Sequence, residues 1–339
     1  MNERFFGSTY AVTEESEKML PLLRAALEYQ REHHPEYIIP YSYWSDRKGW
    51  LYIKWNIEEK KDLPVWRYRY DRHGNIAAEK IPVNLKKAEV LRGKDSDEPV
   101  VLITGDTHGD FRRVETFCRR FPVTKEDVMI ILGDAGINYY GKRKDDDLKD
   151  RLSRLNITLF CIHGNHEMRP ESIETYIEKD WNGGRVYVEE DYPNLLFAKD
   201  GEIYDIAGYK TLVIGGAYSV DKYYRLSRGW SWFSDEQPTE ETWLRIKEQL
   251  AANDWKVDVV LTHTVPYRFR PVDTFIPGLD QSTVDNSTEE ALGEIEARMS
   301  YRKWYAGHFH IDREVENCRI MYKQVSLFMQ DRDLGFEML

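Results

Sequence analysis

From residue 98 onward, short apolar runs alternate with longer amphipathic stretches. "PVVLITGD", "DVMIILGD", "ITLFCIHGNHE", "VDVVLTH" and "KWYAGHFH" are near-continuous apolar runs, and each predicts a strand buried on both faces. Helices lie between them. "FRRVETFCRRF" spaces Phe111, Val114, Phe117, Cys118 and Phe121 at helical intervals, with Asp110 placed to cap the start. Residues 145–155 put Leu148, Leu152 and Leu155 on one helical face, and residues 239–253 predict another helix. "STEEALGEIEARM" carries Ser287 and Glu290 at capping-box spacing. Shorter strands run through Val186, Leu196, Ile203 and "YKTLVIGG", and "CRIMYKQV" predicts one more. Strands buried on both faces need a layer on each side. The pattern therefore predicts an α/β chain with two packed sheets flanked by helices.

Residues 1–95 follow a different rule. A helix is expected over 14–34. "GWLYIKWNI" and "VWRYRYDRHGNI" then alternate apolar or aromatic with polar positions, as half-buried antiparallel strands do. Asp62–Pro64 and His73–Asn75 supply turn signals. "RGKDSDEP", residues 92–99, is charged and turn-rich and marks a boundary. The expected division is a small α+β accessory domain or lid at 1–95 and a larger domain at 96–339. In "WRYRY", cations alternate with aromatics. The reading taken is a strand with its aromatics inward rather than a nucleic-acid platform.

Composition narrows the class. Hydrophobic residues make up 41% and charged residues 32% of 339, which is globular rather than disordered. The formal net charge of -11 argues against long duplex nucleic acid as a partner, because such binding rewards the neutralising of many phosphates. No apolar stretch approaches membrane-helix length, and "MNERFFGSTYAVTEESEK" lacks the basic start and apolar block of a signal peptide. With Cys118, Cys161 and Cys318 far apart in sequence, reduced core thiols in a cytoplasmic protein are expected.

The chemistry sits where the strands end. Five of these ends read "GDTHGD" (105–110), "LGD" (132–134), "GNHE" (164–167), "LTH" (261–263) and "AGHFH" (306–310). Carboxyl ends of strands are where sites assemble in α/β folds. Any one Gly-Asp or lone His is most simply a turn or a structural group. Together, however, they gather Asp106, His108, Asp134, Asn165, His166, His263, His308 and His310. Carboxylate and imidazole without thiolate suit manganese, iron, zinc or nickel, and so many ligands suit two ions bridged by one carboxylate. Such a pair can activate a bridging hydroxide for in-line displacement at phosphorus.

The ordered series "GDTHG … GD … GNHE … TH … GHFH" resembles the calcineurin-like metallophosphoesterase superfamily over roughly residues 100–312. The resemblance implies a four-layered α/β/β/α metallophosphoesterase sandwich at 96–339. It also implies a dinuclear centre between the sheets. Asp106, His108 and His310 would hold one ion, Asp134 would bridge, and Asn165, His263 and His308 would complete the other. His166 would be the catalytic histidine, assisting the leaving oxygen. One departure stands out. Branches with "GDTHG" and "GNHE" usually continue the second motif with Asp-Arg-Gly, whose arginine grips phosphate. Here the chain reads "GDAGINYYGKRK", with Asn138 near that place.

Arg169, Lys142 and Arg143 are candidates for the missing cation. Residues 215–238 are aromatic and cationic. There Tyr223, Tyr224, Trp230, Trp232 and Phe233 are read first as covering a core edge, and alternatively as stacking on a nucleobase, with Arg225 or Arg228 meeting phosphate. Glu167 is read as a partner of His166 or as a structural ion pair, and His163 as structural. The main expectation is a phosphoesterase with two divalent ions, manganese foremost, acting on a phosphorylated small molecule, nucleotide or phosphoprotein. Rival readings are a phosphodiesterase or nuclease, and a metal-binding scaffold whose residues 1–95 bind a protein partner.

Overall fold

The computed structural model describes residues 14–35, 39–45, 50–56, 65–81, 98–141, 143–275, 280–330 and 332–333. It divides into two compact units, Met1–Val90 and Leu91–Leu339. In the first, helix α1 (Glu14–His33) precedes an antiparallel sheet of β1 (Ile39–Ser45), β2 (Leu51–Asn56), β3 (Val65–Tyr70) and β4 (Ile76–Ile81), in sequence order. Leu22, Leu23 and Ala26 of α1 form a core with Leu51, Ile53, Trp66 and Tyr68. The inward-aromatic reading of β3 holds for Trp66 and Tyr68, while Arg67 reaches outward to Glu79 at 2.6 Å. The turn at His73–Asn75 is an Asx turn, in which Asp71 Oδ1 accepts from the His73 and Asn75 backbone N–H groups at 2.8 and 2.9 Å. The expected turn at Asp62–Pro64 and most of the expected boundary segment lie outside the described residues.

The second unit holds two sheets. The chain lays down β5 (Val101–Thr104), β6 (Val128–Ile131), β7 (Thr158–Cys161), β8 (Tyr176–Trp181), β9 (Gly184–Glu189) and β10 (Leu195–Ala198). It then crosses to β11 (Ile203–Ile206), β12 (Tyr209–Ile214), β13 (Val259–Thr262), β14 (Lys303–Ala306), β15 (Arg313–Val315) and β16 (Cys318–Ile320). It returns with β17 (Val325–Leu327) and β18 (Arg332–Asp333). The first sheet runs β18-β17-β5-β6-β7-β10-β9-β8 and the second β11-β12-β13-β14-β16-β15. Strands β5, β6, β7 and β10 are mutually parallel, as are β12, β13, β14 and β16.

Side-chain alternation along these strands builds four layers. Leu102, Met129 and Leu159 face helices α2 (Arg112–Arg120) and α3 (Arg143–Ser153), meeting Val114, Phe117 and Leu152. Their neighbours Ile103, Ile130 and Phe160 face the other way and pack on Val213, Leu261 and Tyr305 of the second sheet. After β12 the chain forms α4 (Lys222–Ser227) and α5 (Glu240–Ala252), and after β13 it forms α6 (Ser287–Glu296). Leu212, Val260 and Trp304 of the second sheet face Ile246 and Leu250 of α5 and Leu292 and Ile295 of α6. Apolar strands are continuous because both faces are buried, and the result is the α/β/β/α sandwich.

Two local expectations change. Ser287 is the first residue of α6 rather than its cap, and its hydroxyl donates to Gln237; Asp285 Oδ1 accepts the Ser287 N–H instead. Asp110 does serve the start of α2, accepting from the Arg112 N–H at 3.1 Å, although the helix proper begins after Phe111. No helix among the described residues is long and apolar enough to cross a membrane.

Candidate metal centre

All five motif turns follow directly on β5, β6, β7, β13 and β14, so parallel strands of both sheets deliver them to one edge of the sandwich. The turns pack so closely that glycine is required. Gly133 has φ +90°, and a Cβ there would lie 2.0 Å from His263 Nδ1. A Cβ on Gly164 would lie 2.0 Å from Asp134 Oδ1 and 2.2 Å from the Asp134 backbone nitrogen.

At one end of the cluster, His108 Nε2 and His310 Nε2 stand 2.9 Å apart. Asp106 Oδ2 lies 3.2 Å from His310 Nε2 and 3.8 Å from His108 Nε2. Asp134 occupies the middle: Oδ2 is 3.8 Å from His108 Nδ1, and Oδ1 is 3.5 Å from His263 Nε2. At the far end Asn165 Oδ1 stands 2.9 Å from His263 Nε2 and 3.1 Å from His308 Nδ1. Three overlapping groups have the spacing to hold an ion: Asp106, His108 and His310; His108, Asp134 and His166; and Asp106, Asp134 and His263. His166 packs edge-on to His108, with ring centres 5.1 Å apart, and its backbone N–H donates to Asp134 Oδ1 at 2.8 Å.

His308 and His310 do not alternate along a strand as the sequence reading supposed. Strand β14 stops at Ala306, and both histidines adopt left-handed backbone, φ 68° and 52°. His108 and Asp134 do the same at φ 47°. Each such residue costs on the order of 1–3 kcal/mol, a strain that persists where surrounding structure imposes it and that clusters at functional sites.

Electrostatics fit a cation. Asp106 and Asp134 are both about 1% exposed. Burial alone would raise their pKa values, yet His310 and His263 hold Asp106 below the usual range, and His263 holds Asp134 well below it. His263 in turn is pushed up to about 9, its burial outweighed by Asp134. Burial and the His263 charge bring His308 down to about 3. Two buried carboxylates thus draw positive charge to themselves, and a divalent ion answers that demand. Donor orientation fits too. Leu132 O accepts from His263 Nδ1 at 2.8 Å, so Nε2 faces the centre. Ser219 Oγ accepts from Asn165 Nδ2 at 2.9 Å, which turns Oδ1 inward.

A family model for calcineurin-like phosphoesterases matches residues 99–312. The chain belongs to the calcineurin-like phosphoesterase family. Membership implies metal-dependent phosphoester hydrolysis. Among solved structures, TT1561 of Thermus thermophilus is similar at 14% identity and a TM-score of 0.37, over 66% of this chain and 88% of that one. No curated protein matches the chain.

Most of the predicted substrate contacts stand away from this candidate centre. Arg169 is buried. Its Nη1 donates to Asp200 Oδ2 and its Nε to Asp235 O, both at 2.6 Å, so it braces the loops beneath the site. Arg143 is exposed at the start of α3 and lines no part of the cleft beside the metal centre. Tyr223, 72% exposed, and Arg228 point outward from α4 while Arg225 on the same helix turns in. Lys142 lies outside the described residues. Glu167 does not orient His166. Its carboxylate accepts from the N–H groups of Ala135, Gly136 and Gly164, tying two motif loops together, and burial beside Asp134 pushes its pKa up to about 8. His163 is structural, with Nε2 3.1 Å from Glu167 O. Asn138 turns into the interior and pairs with Tyr176 Oη.

Arg113, Ser219 and Glu236 contribute without a sequence signal. Arg113 Nη2 donates to Gly105 O at 2.6 Å, holding the turn that presents Asp106. Ser219 Oγ donates to Glu236 Oε2 at 2.5 Å, and Trp232 Nε1 donates to the same oxygen at 2.8 Å, so a network anchors Asn165. The cleft itself, of about 600 Å³, is lined by His108 and His166 at the metal end and by Arg225 beside them.

Proposed function

We propose that this chain is a dinuclear metal-dependent phosphoesterase. Asp106, His108 and His310 would hold one divalent ion, Asn165, His263 and His308 the other, with Asp134 between them. Manganese is the first choice, with iron, zinc and nickel also suited to imidazole and carboxylate. The observation that carries the reading is convergence: donors from five strand ends meet around Asp134, with His166 beside them and a cleft opening outward. A scaffold that had lost its chemistry would have no need of a complete donor set.

Bound ions in such a site supply a hydroxide nucleophile and a clamp on the ester oxygens. The chain's own residues do the rest. Asn165 and His166 leave the same turn in different directions, Asn165 toward the donors and His166 toward the cleft. His166, held by the Asp134 contact to its backbone and with its pKa lowered by burial, would stabilise the phosphoryl group or protonate the leaving oxygen. Arg225, with its side chain 1% exposed, lines the cleft, and its Nη2 has no hydrogen-bond partner among the described residues. A phosphoryl oxygen would satisfy it, so we assign Arg225 the role of the arginine absent from the second motif.

The test is hydrolysis of p-nitrophenyl phosphate beside bis-p-nitrophenyl phosphate by metal-stripped protein, with manganese, nickel, zinc or magnesium restored. Manganese-dependent turnover is expected. His166→Ala should lower kcat by roughly 10²–10⁴-fold with metal content unchanged. Undiminished turnover in His166→Ala would sink the mechanism. Turnover of the diester alone would transfer the assignment to a phosphodiesterase.

A further inference from the structure

The cleft extends well beyond the space one phosphoryl group needs. Its volume of about 600 Å³ is bounded on one side by α3, where positions 144, 147, 148 and 151 share a helical face, and on the other by the segment around α4. Two kinds of side chain dominate its outer part. Tyr139, Tyr140 and Trp230 line it, and Tyr140 and Trp230 remain 55% and 54% exposed. Large aromatic surface left open at the mouth of a cleft is a surface for a ligand. Lys144, Arg151 and Arg225 line it too, against Asp147 and Asp221. The cations are interleaved with the rings: Lys144 Nζ is 4.4 Å from the Tyr140 ring centre and Arg225 Cζ 5.7 Å from that of Tyr139.

We infer that the cleft recognises a nucleotide bearing more than one phosphate. The base stacks on Trp230, with the edge-on Tyr139–Tyr140 pair as the facing wall, the outer phosphates meet Lys144 and Arg151, and the reacting phosphate lies between Arg225 and His166. This rests on the phosphoesterase reading above. The competing phosphoesters use less of the surface. A phosphoserine side chain has no ring to stack, a sugar phosphate has no π-face, and an aryl monophosphate does not reach Lys144 or Arg151, whose Nε pairs with Glu115 at 3.0 Å and leaves the rest of the guanidinium for a second anion. Stacking of bases on aromatic side chains tolerates any base, so selectivity is expected for nucleotides as a class.

Binding of the non-hydrolysable β,γ-imido analogue of adenosine triphosphate to the manganese-loaded full chain, by titration calorimetry, tests this against inorganic tripolyphosphate. The nucleotide should bind about tenfold or more tighter than tripolyphosphate. Trp230→Ala should cut that ratio about tenfold, and Arg151→Ala should weaken both ligands. Both side chains are half exposed, and a melting curve checks that the variants fold. A nucleotide bound no tighter than tripolyphosphate overturns the inference, as does a ratio unchanged by Trp230→Ala. p-Nitrophenyl phosphate turnover, read on the same preparation, separates the two claims. Turnover without nucleotide preference removes only the nucleotide. Nucleotide preference with no turnover of any ester upholds the binding inference and removes the phosphoesterase reading.

Discussion

Replacing Arg169 with methionine separates a brace from a substrate contact. Arg169 and Asp200 have side chains 8% and 4% exposed, with Nη1 and Oδ2 2.6 Å apart. Asp200 Oδ1 also accepts from the Gly215 N–H at 2.6 Å, so the pair joins the turn after β7 to those after β10 and β12. Arg169→Met leaves the Asp200 carboxylate buried without its counter-charge, which costs about 3–5 kcal/mol. The lost donation to Asp235 O adds about 1 kcal/mol. For a unit of this size each kcal/mol moves Tm by about 2–4 °C, so the melt should fall by roughly 10 °C. Arg169→Met with Asp200→Leu should recover the ion-pair part of that, because an apolar pair replaces an ion pair at little net cost; the forfeited Asp235 and Gly215 bonds leave about 2 kcal/mol missing. Calorimetric melts of both variants, together with kcat and KM, decide the matter. A single variant that melts within about 2 °C of the parent while KM rises tenfold would refute the argument and return Arg169 to the substrate.

Three further outcomes are expected. Gly164→Ala drives a Cβ to 2.0 Å from Asp134 Oδ1 and 2.2 Å from its backbone nitrogen, so elemental analysis should find at least one ion lost; full metal content would mean the turns yield more readily than their packing implies. Ser219→Ala frees the Asn165 amide to rotate, and competition with a chelator should show affinity at the Asn165 end weakened about 10–100-fold, whereas unchanged affinity would show that Ser219 does not fix the amide. Burial pushes the Cys118 and Cys318 thiols up to about 12 and Cys161 well above the usual range, so raising the pH to 9 leaves all three as thiols; a disulfide reagent should label none in the folded chain and all three after unfolding, and one fast native thiol would contradict this.

The convergence of the candidate donors was legible because burial and chemistry change at the same residue. Ile103 and Ile130 must be covered on both faces, and the first polar residues after such strands can only emerge at the sheet edge, so Asp106 and Asp134 were bound to meet. Direction within a turn was not legible. His308 and His310 looked like alternate positions of a strand, yet left-handed backbone brings them round to Asn165 and Asp106. Arg169 stands three residues from His166 in sequence, but the chain folds its guanidinium back under the loops. A better signal for the cleft was present on α3. Leu148 was read with Leu152 and Leu155 as core, while the overlapping stripe of Lys144, Asp147, Leu148 and Arg151 faces the cleft.

The departure at the second motif has a structural consequence. After Asp134 the chain commits its backbone N–H groups at Ala135 and Gly136 to Glu167, and a Cβ on Gly136 would lie 2.5 Å from the Gly109 nitrogen. That packing carries residue 138 inward, where Asn138 is 1% exposed and pairs with Tyr176. A phosphate-gripping cation cannot come from this position without undoing the dock between motif loops. In the proposed site it would come from Arg225 of α4, in the stretch that also brings Ser219 to the Asn165 amide and Trp230 to the cleft. On the proposed reading, metal positioning, phosphate grip and substrate choice would all fall on one stretch of chain between β12 and α5. Changes in that stretch should alter KM, metal affinity and specificity together, whereas the sandwich beneath it carries only the donors.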